Sequence, residues 1–174
     1  MISRIRKFWS RDEDGTATVE FVIVFPLIMA VFMSTFELAM LTAKYTMLDR
    51  ALDQTMRDVR LSSGNPLSSQ DVKNSICNRA LLIKDCHAEL VVEMTDILPP
   101  VWTWPTTTTS CANRGNGTLP VVNYTQATSN KLVLVRACAL VDPWFPLTGL
   151  GMQLTKDPSG AFQMTSVSAF VAEP

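Results

Sequence analysis

Residues 21–36 read FVIVFPLIMAVFMSTF and carry no charged side chain. Apolar character resumes after Glu37 with residues 38–41, so the stretch reaches about the 20 residues that a helix needs to cross a bilayer. A carboxylate within such a span is costly, so we expect Glu37 to lie near the far interface or to face protein. The residues that mark the predicted transmembrane segment are Phe21, Pro26 and Phe36. The proline is interpreted as one that a transmembrane helix tolerates.

The charges around this segment are unequal. Four basic residues precede it, namely Arg4, Arg6, Lys7 and Arg11. An excess of positive charge on one side of a span holds that side in the cytoplasm. A cleaved secretory signal fits poorly, because the apolar run is longer than a signal core and no Ala-x-Ala-like site follows it. The sequence therefore predicts a single-pass membrane protein with a cytoplasmic N-terminus.

Beyond residue 41 the pattern changes from uniformly apolar to one-faced. Apolar residues recur at steps of three and four, whereas charged residues occupy the positions between them. The apolar series is Leu41, Tyr45, Leu48, Leu52, Met56 and Val59. This pattern predicts one helix from about Thr18 to Leu61, roughly 65 Å long at 1.5 Å per residue. Residues 63–66 read SGNP and are expected to end it.

The remainder of the chain predicts a small α+β domain with an antiparallel sheet. Ser68 and Asp71 indicate the start of a short helix that reaches about Leu82. Its expected buried side chains are Val72, Ile76 and Leu81. Strands are predicted at residues 88–97, 131–141 and 162–171, and a long irregular loop is predicted at 98–117.

Four cysteines follow the apolar segment: Cys77, Cys86, Cys111 and Cys138. An even number on the far side of a membrane favours disulfides, because that compartment is oxidising. Zinc is the competing interpretation, but the sequence contains neither a Cys-x-x-Cys pair nor a Cys/His knuckle. Of the three possible pairings, the short separation favours Cys77 with Cys86, which leaves Cys111 with Cys138.

Composition excludes several kinds of protein. The 174 residues leave room for one anchor and one domain, and a net charge of −1 gives no basic surface for nucleic acid.

Four acidic residues could suggest paired carboxylates: Asp85, Glu89, Glu93 and Asp96. Because no histidine partner, phosphate loop or nucleophile motif accompanies them, we interpret them as a solvated strand edge. No catalysis, cofactor, metal or small-molecule substrate is expected.

The junction between leader and anchor carries the most informative residues. Gly15 lacks a side chain, so a protease can approach its backbone closely at the membrane surface. Glu20 stands directly before the apolar run, where a carboxylate needs a partner, such as the amino terminus of a neighbouring subunit. It could equally be an N-terminal helix carboxylate that the helix dipole favours.

The start of the chain resembles a known family, the TadE-like proteins of the tight-adherence (Flp) pilus system. The resemblance is to the N-terminal segment of these proteins and lies in the identity and spacing of nine residues: Gly15, Val19, Glu20, Phe21, Pro26, Glu37, Ala51, Arg57 and Arg60. Residues 168–174 also resemble the closing strand of that family. The resemblance implies a non-catalytic pseudopilin or minor pilin of the bacterial inner membrane, with its domain in the periplasm.

The same resemblance implies how the chain is processed and divided. A prepilin peptidase would cut between Gly15 and Thr16, and Glu20 would be the pilin-type glutamate. The expected parts are a cytoplasmic leader at 1–15, a transmembrane and amphipathic helix at 16–62, and a periplasmic domain at 63–174. The implied partners are the membrane, the peptidase, other pilin-like subunits and the assembly platform.

Two other functions are kept open. In a membrane-tethered binding or adhesion protein, the domain would grip a target and the helix would only anchor it. A tethered enzyme is disfavoured because no titratable set with a plausible base stands outside the membrane. Four aromatic residues could form a binding patch, although such residues more often cap a small core: Trp102, Trp104, Trp144 and Phe145.

Overall fold

The computed structural model describes residues 13–62, 67–97, 110–126, 130–147 and 149–172, with side chains from residue 17 onward. It contains a long helix α1 (Glu13–Leu61), two shorter helices α2 (Ser69–Arg79) and α3 (Cys86–Glu89), and a strand β1 (Val91–Ile97). These are followed by β2 (Leu132–Val141), a short helix α4 (Gly149–Gln153) and β3 (Phe162–Val171). The predicted fold class, a long helix and a small antiparallel α+β domain, is confirmed.

Helix α1 begins earlier than predicted. We expected its start near Thr18, and the structure places it at Glu13. The sequence at this start is acidic, and the helix dipole favours acidic residues in a first turn. The helix runs through Pro26 and ends at Leu61, as predicted. The predicted stop at 63–66 lies outside the described residues.

Helix α2 begins as the sequence indicates and ends sooner. The Ser68 side chain accepts the Asp71 amide, and the Asp71 carboxylate accepts the Ser68 amide, which completes a capping box. The helix stops at Arg79, three residues before the expected Leu82. Leu81, which we expected to be buried, is therefore 77% exposed.

A disulfide and a tight turn follow α2. Cys77 is bonded to Cys86, and their Cα atoms are 5.5 Å apart; we call this the first disulfide. Asp85, with φ of 52°, reverses the chain directly before the short helix α3. The predicted strand at 88–97 is accordingly wrong at its start, because Ala88 and Glu89 belong to α3 and the strand begins at Val91.

The sheet has the order β1-β2-β3, and both neighbouring pairs are antiparallel. The central strand β2 is buried along nearly all of its length. Its register places Val91 opposite Cys138 and Val141 opposite Phe162. A central strand covered on both faces explains why this segment is a continuous apolar run rather than an alternating one.

The main core lies between the sheet and the C-terminal half of α1. All of the predicted apolar series on α1 from Leu41 onward, except Tyr45, is buried there. Asp49 and Asp53 of α1 accept hydrogen bonds from Ser166 and Ser168 of β3, at 2.7 and 3.1 Å. The helix is thereby held along the strand, so its C-terminal half is part of the domain.

A smaller cluster covers the opposite face of the sheet. It contains Val91, Ala112, Leu140 and Ala161. Cys111 is bonded to Cys138 of β2, with Cα atoms 5.3 Å apart; we call this the second disulfide. All four cysteines are therefore in disulfides, with the pairing favoured from the sequence. Of the predicted loop at 98–117, only residues 110–117 are described.

Three of the four acidic residues interpreted as a solvated edge are in ion pairs. Glu93 meets Arg136, its cross-strand partner, at 2.8 Å, and both are largely buried. Asp96 meets Lys131 at 3.3 Å. Glu89 pairs with Arg114. The interpretation as a solvated edge is wrong for these three, because the cations come from distant parts of the chain; Asp85 is exposed as expected.

Candidate membrane anchor and its junction with the domain

The N-terminal half of α1 is apolar and uncovered. Among the described residues, one helix is long and apolar enough to cross a membrane, namely residues Ala17–Leu61 of α1. Its most apolar stretch of 18 residues has a mean hydropathy of 2.2, and none of that stretch is buried. Its exposed large side chains include Val19, Phe21, Val22, Ile23, Leu27, Ile28, Val31 and Phe32. A contiguous apolar surface of this size is unfavourable in water and indicates a membrane or protein contact. The helix therefore fits a single-pass membrane protein.

The predicted processing residues lie at the start of this helix. Gly15 and Thr16 are in its first turn, and Glu20 is exposed on it. Thr16 and Glu20 are four residues apart, so they lie on the same face of the helix. The backbone nitrogen of Thr16 is therefore about one helical turn from the position of Glu20.

Glu37, which interrupts the apolar run, is 1% exposed. Its carboxylate accepts the Trp144 amide at 3.1 and 3.0 Å and the Phe145 amide at 2.9 Å. A buried carboxylate is tolerated when such donors replace water. Of the two positions expected for Glu37, the structure therefore gives the one in which it faces protein.

The Phe36 ring supports the same contact. It meets the Trp144 ring edge-on, with centroids 6.2 Å apart, and the Phe145 ring at 6.0 Å. Trp144 nevertheless remains 54% exposed. Of the four aromatic residues considered for a binding patch, Trp144 and Phe145 thus pack on α1, whereas Trp102 and Trp104 lie outside the described residues.

Two glycines allow close packing in the next turn of chain, Gly149 against α1 and Gly151 against the preceding Phe145. Gly149 has φ of +51°, and a Cβ placed on it would lie 2.1 Å from Ser34 Oγ. A Cβ on Gly151 would lie 2.2 Å from the Phe145 carbonyl oxygen. Because Lys44 Nζ also donates to the Asp142 carbonyl at 3.4 Å, the whole segment follows α1. We call residues 142–147 and 149–153 the collar.

Charged side chains hold the collar to the rest of the domain. Arg114 pairs with both Glu89 and Asp142. These hydrogen bonds, first to Glu89 and then to Asp142, raise the pKa of the Arg114 guanidinium above its ordinary value, so it stays charged. Lys156 Nζ donates to the Pro146 carbonyl at 2.7 Å. The collar is therefore fixed from the sheet side as well as from α1.

A groove of about 430 Å³ lies beside the collar. It is lined by Met40, Lys44, Leu81, Leu82, Ile83, Lys84, Val141, Asp142, Pro143 and Trp144. This lining offers apolar contact, two ammonium groups and one carboxylate. Within the described ranges, no group of three or more His, Cys, Asp or Glu side chains could hold a metal ion. The apolar part of the lining is suited to packing contacts.

Comparison with protein families relates the start of the chain to a known family. Residues 15–57 match the family described as TadE-like protein. The N-terminal segment of this chain is TadE-like. The match confirms the resemblance seen in the sequence, and it covers about a quarter of the chain. No curated protein and no solved structure matches the chain.

The TadE-like segment and the collar make complementary contributions to the junction. Ser34 and Glu37 belong to the segment, whereas Trp144, Phe145 and Gly149 lie outside it. Arg60 and residues 168–174, which also carried the resemblance, lie beyond the matched range. The TadE-like segment therefore supplies the uncovered helix and its buried acid, and the domain supplies the donors for that acid.

Sequence reasoning did not find the collar. Glu37 and the Trp144 amide are 107 residues apart, and no local periodicity links them. A signal existed in two separate places: an acid that interrupts an apolar run, and a Pro-Trp-Phe-Pro segment that follows a buried strand. Pairing the two requires the packing of the sheet on α1, which brings the Asp142 carbonyl, directly after β2, to within 3.4 Å of Lys44 Nζ.

Proposed function

We propose that this protein is a non-catalytic pilin-like subunit, a pseudopilin or minor pilin, that takes part in assembly of a tight-adherence (Flp) pilus. Helix α1 anchors it in the bacterial inner membrane as a single pass. Its N-terminus is cytoplasmic, and the domain of residues 63–174 is periplasmic. The observation that carries this proposal is the uncovered apolar half of α1, because it coincides with the TadE-like match.

Two further features support the topology. Both disulfides belong to the part of the chain that follows the apolar half of α1, which suits an oxidising compartment. The basic residues precede that half, which suits the cytoplasm. The proposal therefore assigns opposite sides of the membrane to the two ends of α1.

The proposal includes a processing step at the start of α1. A prepilin peptidase cuts between Gly15 and Thr16 and leaves an ammonium group on Thr16, one helical turn before Glu20. In a bundle of such helices, Glu20 pairs with the ammonium group of a neighbouring subunit. The low dielectric at the membrane edge makes this pair stronger than it would be in water. The partners are then other pilin-like subunits and the assembly platform.

N-terminal sequencing of the membrane-extracted protein tests this function. Cells that contain a prepilin peptidase should yield a chain that begins at Thr16, and cells that lack it should yield the uncut chain. The protein should resist extraction with alkaline carbonate in both. A protein that leaves the membrane in carbonate would refute the anchor, and identical N-termini in the two strains would refute the processing step.

The role of Glu20 is tested separately by co-purification. Glu20→Ala should lower the recovery of partner subunits while processing persists, and Glu20→Asp, which keeps the carboxylate, is the matched control. Unchanged recovery with Glu20→Ala would contradict pairing between subunits. If loss of the domain abolished binding to a target but left piliation intact, the protein would instead be a tethered binding protein.

A further inference from the structure

The collar exposes three large apolar side chains. Trp144 is 54% exposed, Leu147 is 83% exposed and Met152 is 64% exposed. One such residue on a surface would need no explanation. These three lie within one short segment, and that segment packs directly against the part of α1 that carries the uncovered apolar surface. The apolar surface of α1 is thus continuous with that of the collar.

The α1 residues that the collar contacts give its position along the helix axis. Asp142 meets Lys44, Trp144 and Phe145 meet Glu37, and Gly149 meets Ser34. Ten residues of helix, from position 44 to position 34, span about 15 Å. The collar therefore descends along α1, from the domain towards the apolar half of the helix.

The length of the transmembrane span gives the position of the bilayer boundary along α1. A span of about 20 residues that starts at Phe21 ends near Met40. Glu37 then lies about 5 Å below the boundary and Ser34 about 9 Å below it. These depths match those of amphipathic segments, which bury their apolar side about 5–10 Å into the boundary between headgroups and acyl chains. The lower part of the collar occupies the same level.

The polar groups of the collar are arranged for this environment. Backbone amides near hydrocarbon need partners within the protein, because water is scarce there. Glu37 accepts two of them, and Lys156 donates to the Pro146 carbonyl. Tryptophan is also the residue type enriched at membrane interfaces, since its ring is apolar and its N–H is polar.

We propose that the collar is an interfacial membrane-binding site, in which Trp144, Leu147 and Met152 insert into the leaflet on the domain's side. The occupant is the lipid bilayer itself. This inference rests on the proposed membrane anchor, since a chain without the anchor has no bilayer at this height. Its consequence is that the domain lies against the membrane surface and does not stand away from it on a free helix.

Depth-dependent fluorescence quenching of the full chain tests this proposal. The protein is reconstituted in nanodiscs of phosphatidylethanolamine and phosphatidylglycerol whose acyl chains carry bromine at shallow or deep positions. Trp144 is made the single fluorophore by replacing three residues with phenylalanine: Trp9, Trp102 and Trp104. We expect a blue-shifted emission and at least about twofold more quenching by shallow than by deep bromine, as the interfacial depth requires.

Two matched reporters, each introduced into a chain without other tryptophans, separate the possible results. Val171→Trp reports the end of β3 remote from the collar, about 30 Å along the strand from Phe162, and should show little quenching. Phe32→Trp reports the anchor and should be quenched strongly. If Phe32→Trp is quenched but Trp144 is quenched as little as Val171→Trp, the collar proposal fails and the proposed membrane anchor still stands. An unquenched anchor would overturn the proposed function.

A second variant removes the insertion without touching the contacts to Glu37. Leu147→Gln combined with Met152→Gln should raise quenching of Trp144 by aqueous iodide several-fold, while Phe32→Trp in the same background stays protected. An unchanged thermal unfolding temperature in detergent verifies that the fold persists. Unaltered iodide quenching in a folded variant would contradict a role for these two side chains.

Discussion

Glu37→Ala is the perturbation that tests the junction most directly. The wild-type carboxylate is buried and accepts the amides of Trp144 and Phe145. Alanine leaves both N–H groups without an acceptor and opens a void between α1 and the collar. Water cannot reach these groups freely if the collar lies at the membrane boundary. We therefore expect the collar to loosen and the domain to lose stability.

The size of the effect follows from the hydrogen bonds. Each unsatisfied buried amide costs about 1–3 kcal/mol, so two cost roughly 2–6 kcal/mol. Removing the carboxylate also removes its desolvation cost, which offsets part of this loss. A net loss of roughly 3 kcal/mol should lower the Tm of a chain of this size by about 6–12 °C. Glu37→Gln keeps one acceptor oxygen and should show an intermediate loss.

Two measurements on the full chain in detergent check the prediction. Near-ultraviolet circular dichroism gives the Tm, and hydrogen exchange gives the protection of the Trp144 and Phe145 amides. Protection should fall about a hundredfold, as a loss of roughly 3 kcal/mol requires. Glu20→Ala, at an exposed position on the same helix, is the control and should change neither value. If Glu37→Ala moves Tm by less than about 2 °C and leaves amide protection intact, the buried-acceptor argument fails.

Three further outcomes follow from contacts elsewhere in the domain. Replacing the cysteines of the second disulfide with serines should lower the free energy of unfolding by about 3.5 kcal/mol, and replacing those of the first should lower it by about 2.6 kcal/mol. The difference arises because the second disulfide closes a 27-residue loop and the first a 9-residue loop. Equal losses in denaturant titrations would contradict this ranking. Gly149→Ala should lower Tm through its positive φ and its clash with Ser34, and adding Ser34→Ala should restore part of the loss; an additive double mutant would argue against the contact. Burial acts to raise the pKa of Asp157, but hydrogen bonds from Ser159 and Ala161 outweigh it, so the net pKa is below the ordinary 3.8. Its stabilisation should therefore be complete above pH 4 or so and vanish as the pH falls through the lower folded-state value, and Asp157→Asn should flatten acid unfolding curves; unchanged curves would refute this.

Local patterns in the sequence were enough to predict the elements. The charge-free run at residues 21–36 and the apolar series from Leu41 onward specify α1, because their periodicities are long and regular. Ser68 and Asp71 fix the start of α2 through a cap that spans three residues. The final strand was predicted with the bounds that the structure gives.

The errors arose where tertiary structure outweighs local pattern. Helix α3 has four residues, too few to produce a period, so Ala88 and Glu89 were assigned to a strand. Leu81 was expected on a buried face, but α2 ends before it and the first disulfide turns the chain away. Glu93 was expected in solvent, although its partner Arg136 stands across the sheet, 43 positions later in the sequence.

The order in which the chain is made gives the Glu37 contact a consequence for membrane insertion. If α1 spans the membrane as proposed, Glu37 enters it more than 100 residues before the Trp144 and Phe145 amides that it binds are synthesised. Until those residues are synthesised, the lone carboxylate favours water, so the nascent helix should lie about 5 Å further towards the domain's side of the membrane than the mature one. Completion of the domain would then draw the helix to its final depth, which couples the last folding step to the placement of the anchor.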